Sequence, residues 1–270
     1  MDKKRKRKGE KVDILSIIML LLLIAIGTLA FELKNSTDYQ TQSRELEIKE
    51  AQNNDNNDKK TVGWLRVQGT NIDLPIIYAP FYDFAYETGN FAWTEADFKE
   101  LNNIVYITGH NIKNMSARPL IADESHDRFE QLMSYVYVEF AKENQFIQYT
   151  FNGEDYLYRI YSIAFIDESD IDMYNRGEYT KDDMNRFIKT TNEKSIYKYD
   201  VDVNNEDKFI SLNTCTNMFG ESENIRITIN ARLVRDDEKA KLAQVKKSEQ
   251  YRIIDNIMEG GDSDEETDEV

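Results

Sequence analysis

The sequence predicts a mostly-β fold: a barrel-like, mostly antiparallel sheet with a few helices, preceded by a single transmembrane helix. About eight strand-like segments lie between residues 61 and 235. They follow one another closely, without the regular strand-helix alternation of a parallel sheet. An uninterrupted apolar run near the amino terminus supplies the membrane-spanning helix. The 270 residues suffice for one domain with attachments or for two small domains.

Charge is distributed unevenly along the chain. The formal net charge is −16, and residues 1–12 carry seven Lys or Arg and two acidic residues. This basic head contributes +5, which leaves −21 for the remaining residues. So acidic a main domain argues against a nucleic-acid partner. The chain has one cysteine, which excludes an intramolecular disulfide.

The first 60 residues predict a membrane anchor followed by a spacer. A cytoplasmic basic head, residues 1–12, precedes a signal anchor at 13–33, whose apolar run from Ile14 to Phe31 contains no charge. As a helix, this run nearly spans a bilayer, and the basic side is expected to stay in the cytoplasm. A cleaved signal peptide is the alternative, although its apolar core is usually shorter. Residues 34–60 predict a polar, partly helical linker.

Residues 61–235 predict the main folded domain. Its strands are predicted from aromatic and β-branched runs and from period-two alternation. Helices are expected from Met115 to Met133 and from Tyr179 to Asn192, the second with Thr180 as its N-cap. Aromatic residues from Phe81 to Trp93 suit a core edge or a groove wall. Strands are expected on both sides of a turn at 69–71, at Asn103 to His110, Tyr135 to Phe140, Phe146 to Phe151 and Tyr156 to Ile166, and in a hairpin from Lys208 to Val234.

Two acidic segments are expected to be solvated. Residues 166–178 resemble a calcium-ligand cluster in composition but lack the spacing of an EF-hand loop, so neither a metal site nor a cofactor is expected. Residues 236–270 predict a charged, helix-prone segment that continues to about Met258. An acidic, disordered tail is expected to follow it.

The hairpin from Lys208 to Val234 places the single cysteine, Cys215, at the end of a strand. In the returning strand, apolar and polar residues alternate, so Arg226 points away from the apolar face. The turn brings Arg226 back close to Cys215. A thiol beside a fixed positive charge is a plausible nucleophile, because the cation favours the thiolate. A small, buried structural cysteine is the alternative.

Two histidines are available as a general base. His110 ends a predicted strand and precedes Asn111, whereas His126 lies among acidic residues in a predicted exposed helix. The strand-end position favours His110, with a hydrogen-bonded structural histidine as the alternative. Cys215 as nucleophile, His110 as acid and base, and Arg226 as charge stabiliser together form acyl-transfer machinery.

The order of these elements resembles the sortases. After an anchor come a strand ending in ITGHN, a strand ending in SLNTC, and an arginine within NIRITINARL. The GHN triplet, and the helix just before the cysteine strand, are similar to the class B subgroup. The resemblance covers about 61–235 and implies an eight-stranded sortase-type β-barrel. Residues 112–128 and the extension after Arg235 depart from the class B pattern, and no clear lid motif of the class C kind precedes the domain.

The resemblance implies a cysteine transpeptidase that is single-pass in the cell membrane, with its amino terminus in the cytoplasm and its catalytic domain outside a Gram-positive cell. Cys215 would attack a C-terminal sorting motif of a secreted protein and form a thioester. His110 would protonate the leaving amine and deprotonate the incoming one, from a peptidoglycan precursor or a pilin lysine. Arg226 matches the family's arginine, with Arg232 as its nearest competitor. Asn111, Leu212 and Thr214 are implied as substrate-binding residues that line or support the substrate groove.

Two other functions remain open from the sequence. An extracellular cysteine peptidase would use Cys215, His110 and Arg226 with water as the acceptor. A non-catalytic surface binding module would contain Cys215 only as a buried structural residue.

Overall fold

The computed structural model describes residues 60–79, 92–94, 100–116, 118–122, 128–167, 178–220, 224–236, 238 and 241–260. These residues belong to one compact unit, Asn54–Val270. The predicted anchor lies outside the described residues, as do the linker except Lys60, the acidic tail from residue 261 onwards and most of the acidic loop at 166–178. Within the described ranges, no helix is both long and apolar enough to cross a membrane.

Eight strands of the described chain close into a barrel. Six of the eight neighbouring pairs are antiparallel, and two are parallel. The predicted mostly antiparallel, eight-stranded barrel is therefore confirmed. The strands are β1 (Lys60–Val67), β2 (Asp73–Tyr78), β3 (Ala92–Thr94), β4 (Ile104–Gly109), β5 (Phe146–Phe151), β6 (Glu154–Asp167), β8 (Phe209–Cys215) and β9 (Ile225–Leu233). Around the barrel their order is β1-β2-β3-β4-β8-β9-β6-β5.

Alternation along the strands divides the apolar residues between two clusters. Ile210 and Leu212 of β8, together with Ile227 and Ile229 of β9, belong to the main core that fills the barrel. Each such buried side chain contributes about 1.5–3 kcal/mol to folding. Phe209, one residue out of phase with Ile210, faces outward into a second cluster. That outer cluster combines Ile104, Tyr106, Tyr161, Ala164, Ile166 and Phe209 with Met184 and Phe187 of a covering helix.

The covering helix is α2, Lys181–Glu193, which confirms the helix predicted from Tyr179 to Asn192. It begins with the predicted N-cap, Thr180, whose Oγ1 accepts a hydrogen bond from the Asp183 backbone N–H at 3.2 Å. The Asp183 carboxylate in turn accepts one from the Thr180 N–H at 2.9 Å, which completes a capping box. Hydrogen bonds from Thr180 lower the pKa of Asp183 to about 2.

The strand predicted from Tyr135 to Phe140 is wrong. These residues belong to a 3-10 helix, Arg128–Val136, and to α1, Val138–Glu143. The apolar residues that suggested a strand pack into the core from helical turns instead. Two tyrosines hold this turn at its backbone: the hydroxyls of Tyr197 and Tyr251 both donate hydrogen bonds to the Val136 carbonyl, at 2.6 and 2.9 Å.

Two further predictions need correction. The described part of the segment from Met115 to Met133 is irregular up to residue 122 and becomes helical, of the 3-10 type, only at Arg128. The region after Arg235 is not continuously helix-prone. It contains β10, Val245–Lys247, which pairs with β7, Tyr197–Tyr199, in a separate two-stranded sheet. Helix α3, Tyr251–Gly260, then follows.

Candidate active site

Cys215, Arg226 and His110 lie at one level across three neighbouring strands. Cys215 is the last residue of β8 and is the direct cross-strand partner of Arg226 in β9. On its other side, β8 runs parallel to β4, with Thr108 opposite Asn213. Continuing that register by two residues brings His110 level with Cys215. A strand-end thiol, imidazole and guanidinium therefore stand side by side.

The three side chains share the outer face of the barrel wall. Ile107, Leu212 and Ile227 belong to the interior core, and strand alternation turns the site residues to the opposite face. Cys215 and His110 are partly exposed, whereas Arg226 is only 6% exposed. The Cys215 thiol is thus accessible from solvent, and it lies beside the Arg226 charge, which is largely shielded from solvent.

Apolar residues flank this row on both sides. Trp93 of β3 lies beside His110, with ring centroids 4.9 Å apart and planes tilted by 50°. At the other end, Ile166 of β6 pairs with Arg226 and is 1% exposed. The sequence placed Trp93 only in a core edge or groove wall, and the fold brings it against the imidazole.

The three residues implied to bind or support substrate are buried beneath the row formed by His110, Cys215 and Arg226. Leu212 belongs to the barrel core, and the Thr214 hydroxyl donates to the Gly109 carbonyl at 2.8 Å. The Asn111 amide donates to the Cys215 carbonyl, also at 2.8 Å. Since none of the three is more than 3% exposed, their positions suit support of the site and argue against direct contact with a substrate.

Arg232 is removed from Cys215 and engaged elsewhere. It pairs with Phe209 at the opposite end of the β8–β9 ladder, six residues along β9 from Arg226, which is about 20 Å at strand rise. Its fully buried guanidinium donates to both oxygens of Glu238, at 2.6 and 2.8 Å. These bonds lower the pKa of Glu238 to about 2. Of these two arginines, Arg226 is therefore the one that lies beside Cys215.

Two polar residues that the sequence did not single out hold the loop after His110: Asn114 within the loop and Glu130 in the 3-10 helix. Asn114 and Glu130 are almost fully buried and bond to this loop. Asn114 follows the GHN triplet by three residues, whereas Glu130 lies 19 residues beyond Asn111 and has no such signal in the sequence. His126 lies outside the described residues. Among the described side chains, no group of three His, Cys, Asp or Glu could hold a metal ion.

Comparison with known proteins identifies the type of protein. No family model matches the chain. Sortase B of Staphylococcus aureus is 23% identical over 188 residues, which cover 66% of this chain and 71% of the relative. Sortase B of Listeria monocytogenes is 26% identical over 191 residues, covering 65% and 70%. The chain is a class B sortase-like protein.

Solved structures agree with the sortase-like fold. A mutant form of Clostridium perfringens sortase B superposes with a TM-score of 0.58 at 21% identity, covering 73% of this chain and 89% of that one. A sortase B complexed with triglycine gives a TM-score of 0.54 at 20% identity, covering 73% and 86%. Together with the sequence relatives, these matches support a cysteine transpeptidase of the sortase type.

Proposed function

We propose that this sortase-like protein is a membrane-anchored transpeptidase that cleaves a C-terminal sorting motif of secreted proteins and transfers them to an amine. One observation carries the proposal: His110, Cys215 and Arg226 occupy one level on the outer face of three adjacent strands. Nucleophile, proton carrier and charge stabiliser are the groups that acyl transfer requires.

In the proposed reaction, the Cys215 thiolate attacks the carbonyl carbon of the scissile peptide bond. Arg226 stabilises the oxyanion of the tetrahedral intermediate with its fixed N–H donors. The C–N bond then breaks, a thioester forms, and the His110 imidazolium gives its proton to the leaving amine. An incoming amine attacks the thioester and loses a proton to His110, and the new amide leaves as the Cys215 thiolate is regenerated.

The donor in this proposal is a secreted protein with a sorting motif. The acceptor is an amine of a peptidoglycan precursor or of a pilin lysine. The complex of a related sortase B with triglycine supports an amine acceptor, because that peptide has a primary amine at its amino terminus. The partial exposure of Cys215 favours a reactive thiol over the inert, buried cysteine of a binding module.

The proposed location is the outer face of a Gram-positive cell membrane. Residues 1–12 would lie in the cytoplasm, 13–33 would span the bilayer, 34–60 would act as a spacer, and 61–235 would form the catalytic domain. Cell fractionation tests this: the full chain should sediment with membranes, and a chain lacking residues 1–33 should be soluble and folded. Recovery of the full chain in the soluble fraction would contradict the anchor.

Mass spectrometry of the full chain in detergent tests the reaction. The protein is incubated with a panel of sorting-motif peptides, with and without triglycine, and Cys215→Ala is the control. A thioester on Cys215 and a triglycine-capped product are expected, and Cys215→Ala should give neither. Hydrolysed peptide as the sole product, even with triglycine, would indicate a peptidase. Retained transfer by Cys215→Ala would end the proposal.

A further inference from the structure

The loop that follows His110 is held in place by buried side chains. Asn111, Asn114 and Glu130 are 3%, 1% and 0% exposed, and each bonds to backbone groups in or beside this loop. We name these three residues the His110 clamp. Buried polar groups are nearly always hydrogen-bonded, and a fully satisfied network rigidifies the segment that it joins.

Asn111 connects the end of β4 to the end of β8. Its Nδ2 donates to the Cys215 carbonyl at 2.8 Å and to the Asn114 carbonyl at 3.0 Å. Its Oδ1 accepts from the Asn114 backbone N–H at 3.1 Å. The first of these bonds lies beyond the last paired residues of the β4–β8 ladder, Thr108 and Asn213, so it extends the link between the two strands to the level of the site.

Asn114 joins the middle of the loop to the 3-10 helix. Its Nδ2 donates to the carbonyls of Glu130 and Leu120, at 3.1 and 3.2 Å. Its Oδ1 accepts from the Leu120 backbone N–H at 2.8 Å. Since both donors and the acceptor are used, this amide defines the loop path over six residues.

Glu130 holds the residues immediately after Asn111. Its Oε1 accepts from the backbone N–H of Ile112 at 2.6 Å and from that of Lys113. A carboxylate that accepts from two successive amides forms charge-assisted bonds, which are stronger than neutral ones. The adjacent Phe129 ring lies so close to Gly109 that a Cβ at that position would overlap it. The start of the 3-10 helix thus contacts the chain on both sides of His110.

We propose that the His110 clamp positions the imidazole against Cys215. This inference rests on the proposed function. The three residues act as positioning residues, since they are buried away from substrate and Asn111 reaches the Cys215 carbonyl, not its sulfur. General acid–base catalysis requires the proton carrier within hydrogen-bond reach, and a displacement of about 1 Å lowers the rate by about a hundredfold.

The test compares Asn111→Ala with Asn230→Ala in the full chain in detergent. Asn230 is a matched control, because it is also buried and bonded through both amide atoms, accepting from Ser211 at 2.7 Å and donating to Thr228 at 3.1 Å. It lies four residues from Arg226 along β9, and neither of these two bonds reaches the His110 loop. Glu130→Gln is a milder second variant, which removes the charge but keeps an acceptor oxygen.

Two readouts are measured at equal folded fraction: kcat and KM for peptide transfer to triglycine, and the pH profile of Cys215 alkylation by iodoacetamide. Asn111→Ala should lower kcat by about 10–100-fold, with the donor KM within about twofold, and should displace the alkylation profile. Glu130→Gln should do the same to a smaller extent. Asn230→Ala should leave both readouts near wild type, even where its melting temperature falls.

Equal losses in Asn111→Ala and Asn230→Ala would overturn the clamp, since both would then reflect general destabilisation. A raised donor KM with unchanged kcat in Asn111→Ala would also overturn it, and would assign substrate contact to Asn111. The alkylation arm does not depend on transpeptidation. If the wild type transfers no peptide but the profile changes in Asn111→Ala alone, the clamp stands and the proposed function fails.

Discussion

Trp93 and His110 lie ring against ring, with centroids 4.9 Å apart and planes tilted by 50°. Trp93 is 4% exposed and held by β3, so it presents a fixed apolar wall to the partly exposed imidazole. A ring of this size restricts the rotamers open to His110 on that side. The contact therefore complements the backbone restraints that the His110 clamp places on the loop.

Replacing Trp93 with Leu should lower kcat/KM for peptide transfer by about tenfold, because His110 loses its aromatic neighbour and samples unproductive rotamers. Trp93→Phe keeps a ring and should lose less. The measurement is steady-state kinetics, together with the width of the His110 ring resonances in NMR spectra. Trp64→Phe, a change at a buried tryptophan in β1, is the control. Equal kinetics for Trp93→Leu and wild type would contradict this role.

Arg226→Ala should lower kcat by about 10²–10³-fold with a smaller change in KM, because the lost donors act on the developing oxyanion. Arg226→Lys should restore only part of the rate, since an ammonium cannot reproduce the planar guanidinium fork. Single-turnover measurement of thioester formation isolates this step. Arg66→Ala removes a surface cation paired with Asp73 at 3.3 Å and should leave the rate unchanged. A KM effect alone would assign Arg226 to substrate binding.

Gly109→Ala should both destabilise the fold and reduce activity, because the new methyl group would overlap the Phe129 ring. Overpacking of this kind costs about 1–3 kcal/mol, measured by chemical denaturation. Adding Phe129→Leu should recover part of both losses, so the two changes should be non-additive.

Gly153→Ala is the matched control for Gly109→Ala. Gly153 has a φ of 81° and open space at the Cβ position. An alanine there is strained by roughly 1–2 kcal/mol through its backbone alone, with no contact at the site. Its activity at equal folded fraction should match wild type. A full loss of activity in this variant would show that the assay reports stability and not the site.

Glu238→Gln should destabilise the protein by about 3 kcal/mol, because it leaves the fully buried Arg232 without its carboxylate partner. The pair also predicts a pH dependence. Hydrogen bonds from Arg232 lower the pKa of Glu238 from 4.5 to about 2. Its contribution is thus complete above about pH 4.5 and is lost as the pH falls towards 2.

Denaturation curves between about pH 6 and pH 2 compare the two proteins. The stability difference between wild type and Glu238→Gln should shrink across the acid range. Asp202→Asn, at a carboxylate that is 78% exposed and bonded to Arg235 at 3.0 Å, should cost less than about 1 kcal/mol. A constant difference at every pH would contradict the assigned role of Glu238.

The barrel and the catalytic strands were predictable because their signals are local. Period-two alternation in β9 assigned Arg226 to the outer face, and Thr180 marked the start of α2. The strand prediction for Tyr135 to Phe140 was wrong because aromatic and β-branched residues suit a buried helix as well as a strand. Tertiary contacts with Tyr197 and Tyr251 decide its conformation, and these residues lie 61 and 115 positions from Val136.

The candidate site was only partly predictable for the same reason. Its three chemical groups have unusual types or positions, such as the single Cys215 or the strand-end His110. Asn114 and Glu130 have common residue types, and Trp93 lies in an aromatic-rich stretch that suits a core edge equally well, so only the fold brings these three residues to the site. The resemblance implied that Asn111 and Thr214 line or support the substrate groove, and both are buried and donate to backbone carbonyls, which suits support. The spacing of residues along the chain does not reveal which side chains line a groove and which lie beneath it, because that depends on contacts between distant segments of the fold.

The parallel pairing of β4 with β8 has a consequence for folding. Ile104 aligns with Phe209, so the strands that carry His110 and Cys215 meet only after a loop of about 100 residues has closed. Contacts of such high sequence separation form slowly, and they cannot form in a partial chain that ends before β8. An incompletely folded chain therefore has a thiol without its imidazole neighbour. Catalytic competence then coincides with completion of the native topology.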